Sequence, residues 1–289
     1  MHASATTEEV RVLQHGSGTP VLWIVAGVHG DEVEGMACVE EVLSAVRPRV
    51  GTLVAVPVAH PAALRAGTRR GPDGVDLNRI YPGRPDGGPT ERVANALWRQ
   101  MVDSAPDALM TIHSWSRSGS AVAHVEHARG DARGAELAAR LGLPFVVPFL
   151  WPDGLLPNVS VKHGIPSVEL ELGGLGAQTP GNLRRGLHAV QAIAAALGMC
   201  DPPPVALTPV VVHRVPVPVA TSGRVRQRRE LGETVRSGDP ICEIRDMDGS
   251  LLETLTSPVR GWVGVHVTYG YVKPGDEVVI VFEADEAAA

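Results

Sequence analysis

His29 and Glu32 stand three residues apart in GVHGDE (27–32), directly after the apolar run VLWIVA (21–26). An imidazole and a carboxylate at this spacing, on a turn entering a helix, can reach one zinc ion. With 11 histidines and 32 acids in the chain, about one such string arises by chance, so spacing alone decides little. Position decides more: the carboxyl end of a strand is where open α/β sheets form ligand sites. Helix capping or a surface role is the alternative for this pair. His113 follows a second apolar run, ALMTI (108–112), at an equivalent edge. It is a third ligand if the two strands converge, and an ordinary buried histidine if they do not. Three protein ligands plus an open position is the usual arrangement of catalytic zinc.

Two further segments put charge where a reason is needed. GTRRGPDGVDLNRIYPG (67–83) is a loop by its Gly, Pro and Asp content and holds Arg69, Arg70, Asn78 and Arg79. Guanidinium groups fixed on a loop suit carboxylate binding and carbonyl polarisation; a solvated charged loop is the alternative. SVELELGG (167–174) carries Glu169 and Glu171 at alternate positions of an apolar strand, hence on one side of it. Burying a carboxylate there is costly unless it is paired, which argues for function. HVEH (124–127) has two histidines but nothing nearby to complete a site. Ser114 and Ser116 lack a nucleophile-elbow pattern.

The elements that must hold these residues alternate. VLWIVA, LVAVPVA (53–59), ALMTI and SVELEL (167–172) read as buried strands, with Pro57 marking an edge or an irregular strand end. Between them, Val33, Met36, Val39, Leu43 and Val46 share a helical face, and Thr90 is placed to cap a helix carrying Val93, Leu97 and Met101. Residues 131–141 and a segment opening at Pro180 are also helical, ending at Gly142 and Gly198. Strands alternating with helices predict an α/β fold with a sheet covered on both faces. DPPPVA (201–206) reads as a stiff linker, which divides the chain into 1–200 and 207–289. The second part is all β and internally repeated. GRVRQRRELGETVRSGDPICEI (223–244) parallels GWVGVHVTYGYVKPGDEVVIV (261–281), which predicts a small barrel or sandwich. It looks like a biotinyl/lipoyl-type unit, yet RDMDGSLLETLTSP (245–258) has no lysine to carry a cofactor. An accessory role is therefore expected.

Taken in order, GVHGDE, TRRGPDGVDLNRIYPG, a histidine after an apolar strand and ELELGG resemble the succinylglutamate desuccinylase/aspartoacylase family of the zinc carboxypeptidase clan. AGTR (66–69) gives the layout a further likeness to deacetylases of N-acetyl-diaminobutyrate. The resemblance implies a zinc-carboxypeptidase-like mixed sheet flanked by helices, followed by the β unit. It implies one Zn2+ per chain on His29, Glu32 and His113, Glu171 as catalytic base and Arg69 polarising the scissile carbonyl. Asn78 and Arg79 would hold a substrate carboxylate. The family's usual Asn-Pro is His60-Pro61 here, and a longer loop leaves Arg70 as a substitute for Arg69. The implied activity is zinc-dependent hydrolysis of the amide of a small carboxylate-bearing N-acyl amino acid. A metallocarboxypeptidase or amidase acting on small peptides would use the same residues, and a non-catalytic binding module would need a broken zinc set. Two readings stand for the β unit: it narrows the mouth of the site with Tyr269 and Tyr271 at the rim, or both tyrosines simply pack its barrel.

Bulk properties bound the rest. The 289 residues, 44% of them hydrophobic, suffice for a full core. A net charge of -6 offers no basic surplus for nucleic acid or an anionic membrane. Cys38, Cys200 and Cys242 are too dispersed for a disulfide framework or a CxxC site. The opening MHASATTEEV lacks a signal-peptide pattern, and no apolar run is long enough to span a bilayer. The expectation is a cytoplasmic enzyme, with a homo-oligomer left open.

Overall fold

The computed structural model describes residues 10–204, 207–268 and 270–285. In the first part, strands and helices alternate in the order β1 (Leu13–Ser17), β2 (Val21–Ala26), α1 (Val33–Ala45), β3 (Gly51–Val56), α2 (Pro61–Ala66) and α3 (Pro89–Asp103). There follow β4 (Ala108–Ser114), β5 (Gly119–Ala121), β6 (His124–Ala128), α4 (Ala132–Ala139), β7 (Phe145–Phe149), α5 (Leu156–Lys162), β8 (Ser167–Leu172) and α6 (Pro180–Ala196). The second part is all strand: β9 (Val210–Pro218), β10 (Gly223–Gln227), β11 (Thr234–Val235), β12 (Pro240–Arg245), β13 (Leu251–Thr256), β14 (Gly261–Val267), β15 (Tyr271–Val272) and β16 (Glu277–Ala284).

The main sheet is mixed, in the order β1-β3-β2-β4-β8-β6-β7-β9-β16-β14-β11. Its centre, β3-β2-β4-β8, is parallel, as continuous apolar strands joined by helices require. Alternate residues of the same strands feed two cores. Leu22, Ile24, Met110, Ile112, Val168 and Leu170 meet α1, α4 and α6 on one face. Trp23, Val25, Val54 and Leu109 meet α3 and α5 on the other. The sheet is therefore covered on both faces, as the alternation predicted. Pro57 marks a strand end: β3 lies inside the sheet between β1 and β2, and stops at Val56. Helix α3 begins one residue before the expected cap. Gly88 caps it, Pro89 opens it, and the Glu91 side chain accepts from Gly88 N at 2.9 Å. Thr90 is left free to donate its hydroxyl to Asp73 at 2.7 Å.

The sheet runs on past the proline-rich segment, because β9 pairs with β7 in parallel and β16 with β9. A second sheet, β13-β12-β10-β15, packs over β9-β16-β14 around Val217, Val235, Ile241, Ile244, Val263 and Val281. The sequence repeat is visible here as an exchange. Each copy is a long strand, a two-residue strand and a second long strand. The short strand of each copy pairs with the leading strand of the other, β11 with β14 and β15 with β10. Where a carrier lysine would sit, the turn after β12 presents an exposed Met247.

Candidate active site

The chemistry-bearing residues converge where the parallel strands end. Register explains much of it. His113 of β4 is opposite Glu171 of β8, which is opposite His124 of β6; one row below, Thr111, Glu169 and Glu126 align. Residues in register share a face, so these six polar side chains form a band across an otherwise apolar sheet. Their neighbours at odd offsets, Met110, Ile112, Leu170 and Val125, supply the opposite core.

Glu32 ends the turn after β2 and lies at the foot of α1. Gly30 inside this turn must be glycine: a Cβ there would lie 2.0 Å from the Ala63 carbonyl carbon of α2. His29, Glu32 and His113 are all buried, and their ligand-type atoms lie within 4.8 Å of one another. His29 Nδ1 is 2.7 Å from Glu32 Oε1, and His113 Nδ1 is 2.8 Å from Glu32 Oε2. The outer nitrogens face other carboxylates: His29 Nε2 is 3.1 Å from Asp76 Oδ1, and His113 Nε2 is 3.4 Å from Glu169 Oε2. A carboxylate only accepts, so with a metal bound His29 would donate from Nε2 to Asp76 and turn its Nδ1 lone pair to the ion. Among the described residues His29 Nδ1 has no aligned hydrogen-bond partner despite its burial. Imidazoles backed by carboxylates, with inward nitrogens gathered around a third carboxylate, fit a bound metal ion.

The electrostatics agree. Burial alone would lower the His113 pKa, but the charges of Glu169 and Glu32 outweigh it and push it up to about 10. Burial likewise opposes ionisation of Glu32, yet His29 and His113 hold its carboxyl well below the usual range. Surroundings that keep a proton on His113 also favour a dication in its place. Glu171 behaves oppositely. Burial raises its pKa well above the ordinary carboxylate value against the charge of His113, with Glu32 and Glu169 adding to the rise, and among the described residues its Oε2 has no hydrogen-bond partner.

These groups line a cavity of about 460 Å³ together with Arg69, Asn78, Arg79, Trp115, Phe149, Trp151, Leu155, Glu126 and Arg214. Arg69 donates from Nη1 to Glu32 Oε1 at 2.9 Å and from Nε to Asp76 Oδ2 at 3.2 Å. Arg70, the other arginine considered for this place, is exposed and outside the lining. Asn78 accepts from Leu156 N through Oδ1 at 3.2 Å, leaving its amide NH2 as a donor. His60, which stands where the family's pattern has Asn, caps α2 by accepting from Ala63 N at 3.3 Å.

Sequence reasoning missed three contributors. Asp76 ties His29, Arg69 and, through Asn78 N at 2.9 Å, the 3-10 turn of residues 77–79 together. Its signal was present, an acid inside the DLNR string. Glu126 lies inside HVEH, a string that drew attention only for its two histidines, and Arg214 gave no signal, being remote from every motif. The tyrosine rim is corrected. Tyr271 is exposed and outside the cavity lining, paired against β10, and Tyr269 lies outside the described residues. The C-terminal strands reach the cavity through Arg214 instead. HVEH makes no site because alternation sends His124 and His127 to opposite faces. No helix among the described residues is long and apolar enough to cross a membrane.

Comparison with known proteins agrees with this geometry. Residues 18–197 match the succinylglutamate desuccinylase/aspartoacylase catalytic domain. An N-alpha-acetyl-L-2,4-diaminobutyric acid deacetylase from Halomonas elongata is 34% identical over 184 residues, 60% of this chain and 53% of that protein. The chain thus spans about half the length of the curated relative it matches. A succinylglutamate desuccinylase/aspartoacylase crystal structure from Rhodobacter sphaeroides superposes with a TM-score of 0.84 at 26% identity, covering 95% of this chain and 88% of that one. The product-bound ectoine utilization protein EutE (DoeB) from Ruegeria pomeroyi gives a TM-score of 0.86 at 24% identity, covering 94% and 87%. With the motif-bearing part matched in full and the fold shared throughout, the chain belongs to the succinylglutamate desuccinylase/aspartoacylase family.

Proposed function

We propose that this protein is a zinc-dependent deacylase that hydrolyses the amide bond of a small N-acyl amino acid, releasing a carboxylic acid and the free amino acid. The observation carrying this reading is the buried His29–Glu32–His113 group with the unpartnered carboxyl of Glu171 in the same cavity. The matched family and the deacetylase relative support the choice of bond.

A zinc ion held by His29, Glu32 and His113 would supply Lewis acidity at the acyl carbonyl and a water acidic enough to react near neutral pH. Glu171 accepts the proton of the attacking water and later delivers it to the leaving amine. A raised pKa suits this double duty, because the group must both take and release a proton. Arg69, held by Glu32 and Asp76, presents guanidinium N–H donors to the oxygen on which negative charge develops. Arg79 and the Asn78 amide hold the substrate carboxylate and so fix its register. Trp115, Phe149 and Trp151 wall the chamber and limit water around the reacting atoms.

The test combines metal analysis with a substrate panel. Purified protein should carry about one zinc per chain and release amine from N-acyl amino acids faster than from dipeptides. The double variant His29→Ala, His113→Ala should lose both. Full zinc occupancy in that variant, or inactivity of the zinc-loaded protein on the whole panel, would overturn the reading.

A further inference from the structure

Three arginines line the cavity, and their partners differ. Arg69 is paired with Glu32 and Asp76. Arg214, from β9, is paired with Glu126 of β6 at 2.6 Å. Arg79 is exposed; its Nη1 donates to the Asn78 carbonyl, and among the described residues it has no carboxylate partner. One uncompensated guanidinium provides for one substrate carboxylate.

The Glu126–Arg214 pair is set deep. The Glu126 side chain is 3% exposed and that of Arg214 17%. Arg214 lies over the rings of Phe149, at 5.1 Å, and Trp115, at 5.7 Å. The second oxygen of Glu126 accepts weakly from Trp151 Nε1 at 3.4 Å. Burial works against the Glu126 charge, but Arg214 and His124 hold the carboxyl ionised. His124 Nδ1 lies 2.8 Å from the Val122 carbonyl oxygen, and its Nε2 faces Glu126 Oε1 at 3.5 Å. In strand order, β6 and β9 lie beyond β8, on the far side from the strands that carry His29 and His113. This end of the chamber therefore offers aromatic walls, the buried Trp115 Nε1 with no hydrogen-bond partner among the described residues, and two opposite charges that cancel.

We propose that the Glu126–Arg214 pair is a specificity device: it selects N-acyl amino acids whose only charge is the carboxylate held by Arg79, and rejects those with a charged acyl group or side chain. A second carboxylate on the substrate would have to displace Glu126 from Arg214. A cationic substituent would meet Arg214 beside Glu126. In either case a charge loses water and gains no net partner. The inference rests on the deacylase reading above. It also gives the C-terminal strands a part in substrate choice, since Arg214 is theirs.

The experiment compares the zinc-loaded full chain with Glu126→Gln, Arg214→Met and the double variant. The substrates are N-acetylmethionine, N-acetylglutamate, N-acetyldiaminobutyrate and N-succinylmethionine. Inhibition constants of the free amino acids serve as a readout independent of turnover. The wild type should prefer N-acetylmethionine. Glu126→Gln unpairs Arg214 and should raise the preference for the anionic substrates over the neutral one by about tenfold or more. Arg214→Met unpairs Glu126 and should do the same for the cationic substrate. The double variant should return to the neutral preference. A pair that merely braced the wall would lower all four substrates together, and that outcome overturns the proposal. So does a wild type that handles charged and neutral substrates equally, a result that needs no variant to fold. A zinc-loaded wild type inactive on every substrate refutes the deacylase reading instead.

Discussion

Asp76 makes three bonds with two oxygens, and two substitutions divide them. Oδ1 faces His29 Nε2 at 3.1 Å and accepts from Asn78 N at 2.9 Å; Oδ2 accepts from Arg69 Nε at 3.2 Å. Burial opposes its charge, yet His29 and Arg69 hold the carboxyl well below the usual range. Asp76→Ala removes all three bonds. Losing the carboxylate that orients a metal-bound imidazole typically weakens metal binding by about 10–100-fold, which is roughly 1.4–2.8 kcal/mol. Asp76→Asn with its oxygen in the Oδ1 position keeps the bonds to His29 and Asn78, but turns an NH2 group toward the Arg69 guanidinium, donor against donor. Zinc affinity should then stay within about tenfold of wild type, while kcat falls. Removing an oxyanion donor outright costs about 10²–10³ in kcat. Arg69 retains its second anchor on Glu32 at 2.9 Å, so the expected loss in Asp76→Asn is nearer tenfold. Zinc competition against a chromophoric chelator gives the affinity, and released amine from an N-acetyl amino acid gives kcat. Asp76→Asn losing zinc as completely as Asp76→Ala would refute the assignment of Oδ1 to His29. Wild-type zinc affinity in Asp76→Ala would refute the orienting role altogether.

Three other outcomes follow from the same geometry. Glu171→Gln should keep zinc and fold but lower turnover by about 10²–10⁴, whereas Glu169→Gln, one row from the unpartnered carboxyl, should do less; steady-state kinetics with metal analysis separates them. Gly154 has a φ of 81°, and a Cβ there would lie 2.1 Å from the Arg79 carbonyl oxygen, so Gly154→Ala should push the Asn78–Arg79 turn and raise KM more than it lowers kcat. A chain ending at Gly198 would lose β9 from beside β7. It would also strip Phe145 and Val147 of Val212, Ile280 and Phe282, so it should aggregate or lose near-UV circular dichroism rather than stand alone as an active fragment.

The short-range features were legible in the chain itself. His29 and Glu32 are three residues apart, and a strand running into a helix brings them together with little help from elsewhere. The buried strands β2 and β4 show as apolar runs, and in β8 two-residue alternation alone puts Glu169 and Glu171 on one face. Helix α6 announces itself by Pro180 and Gly198. The glycine spacing of the β repeat betrays two related units. In each case the determining interactions are local: period, turn preference and caps act within a few residues.

Other features exist only in the folded chain. That β4 lies between β2 and β8, so that His113 meets Glu32 across 81 residues, is a matter of strand order, which no local pattern encodes. The exchange of short strands between the two β copies is likewise invisible in either copy alone. Arg69 rather than Arg70 enters the cavity because the loop is pinned by Asp76, a bond that exists only after the turn closes. Arg214 is nonlocal too: it reaches Glu126 from 88 residues away and completes the cavity wall. It has no motif because its environment is made by β7 accepting β9 as a neighbour. Sequence periodicity decides which residues are buried; tertiary packing decides which buried charges neutralise one another, because that depends on which strands become neighbours.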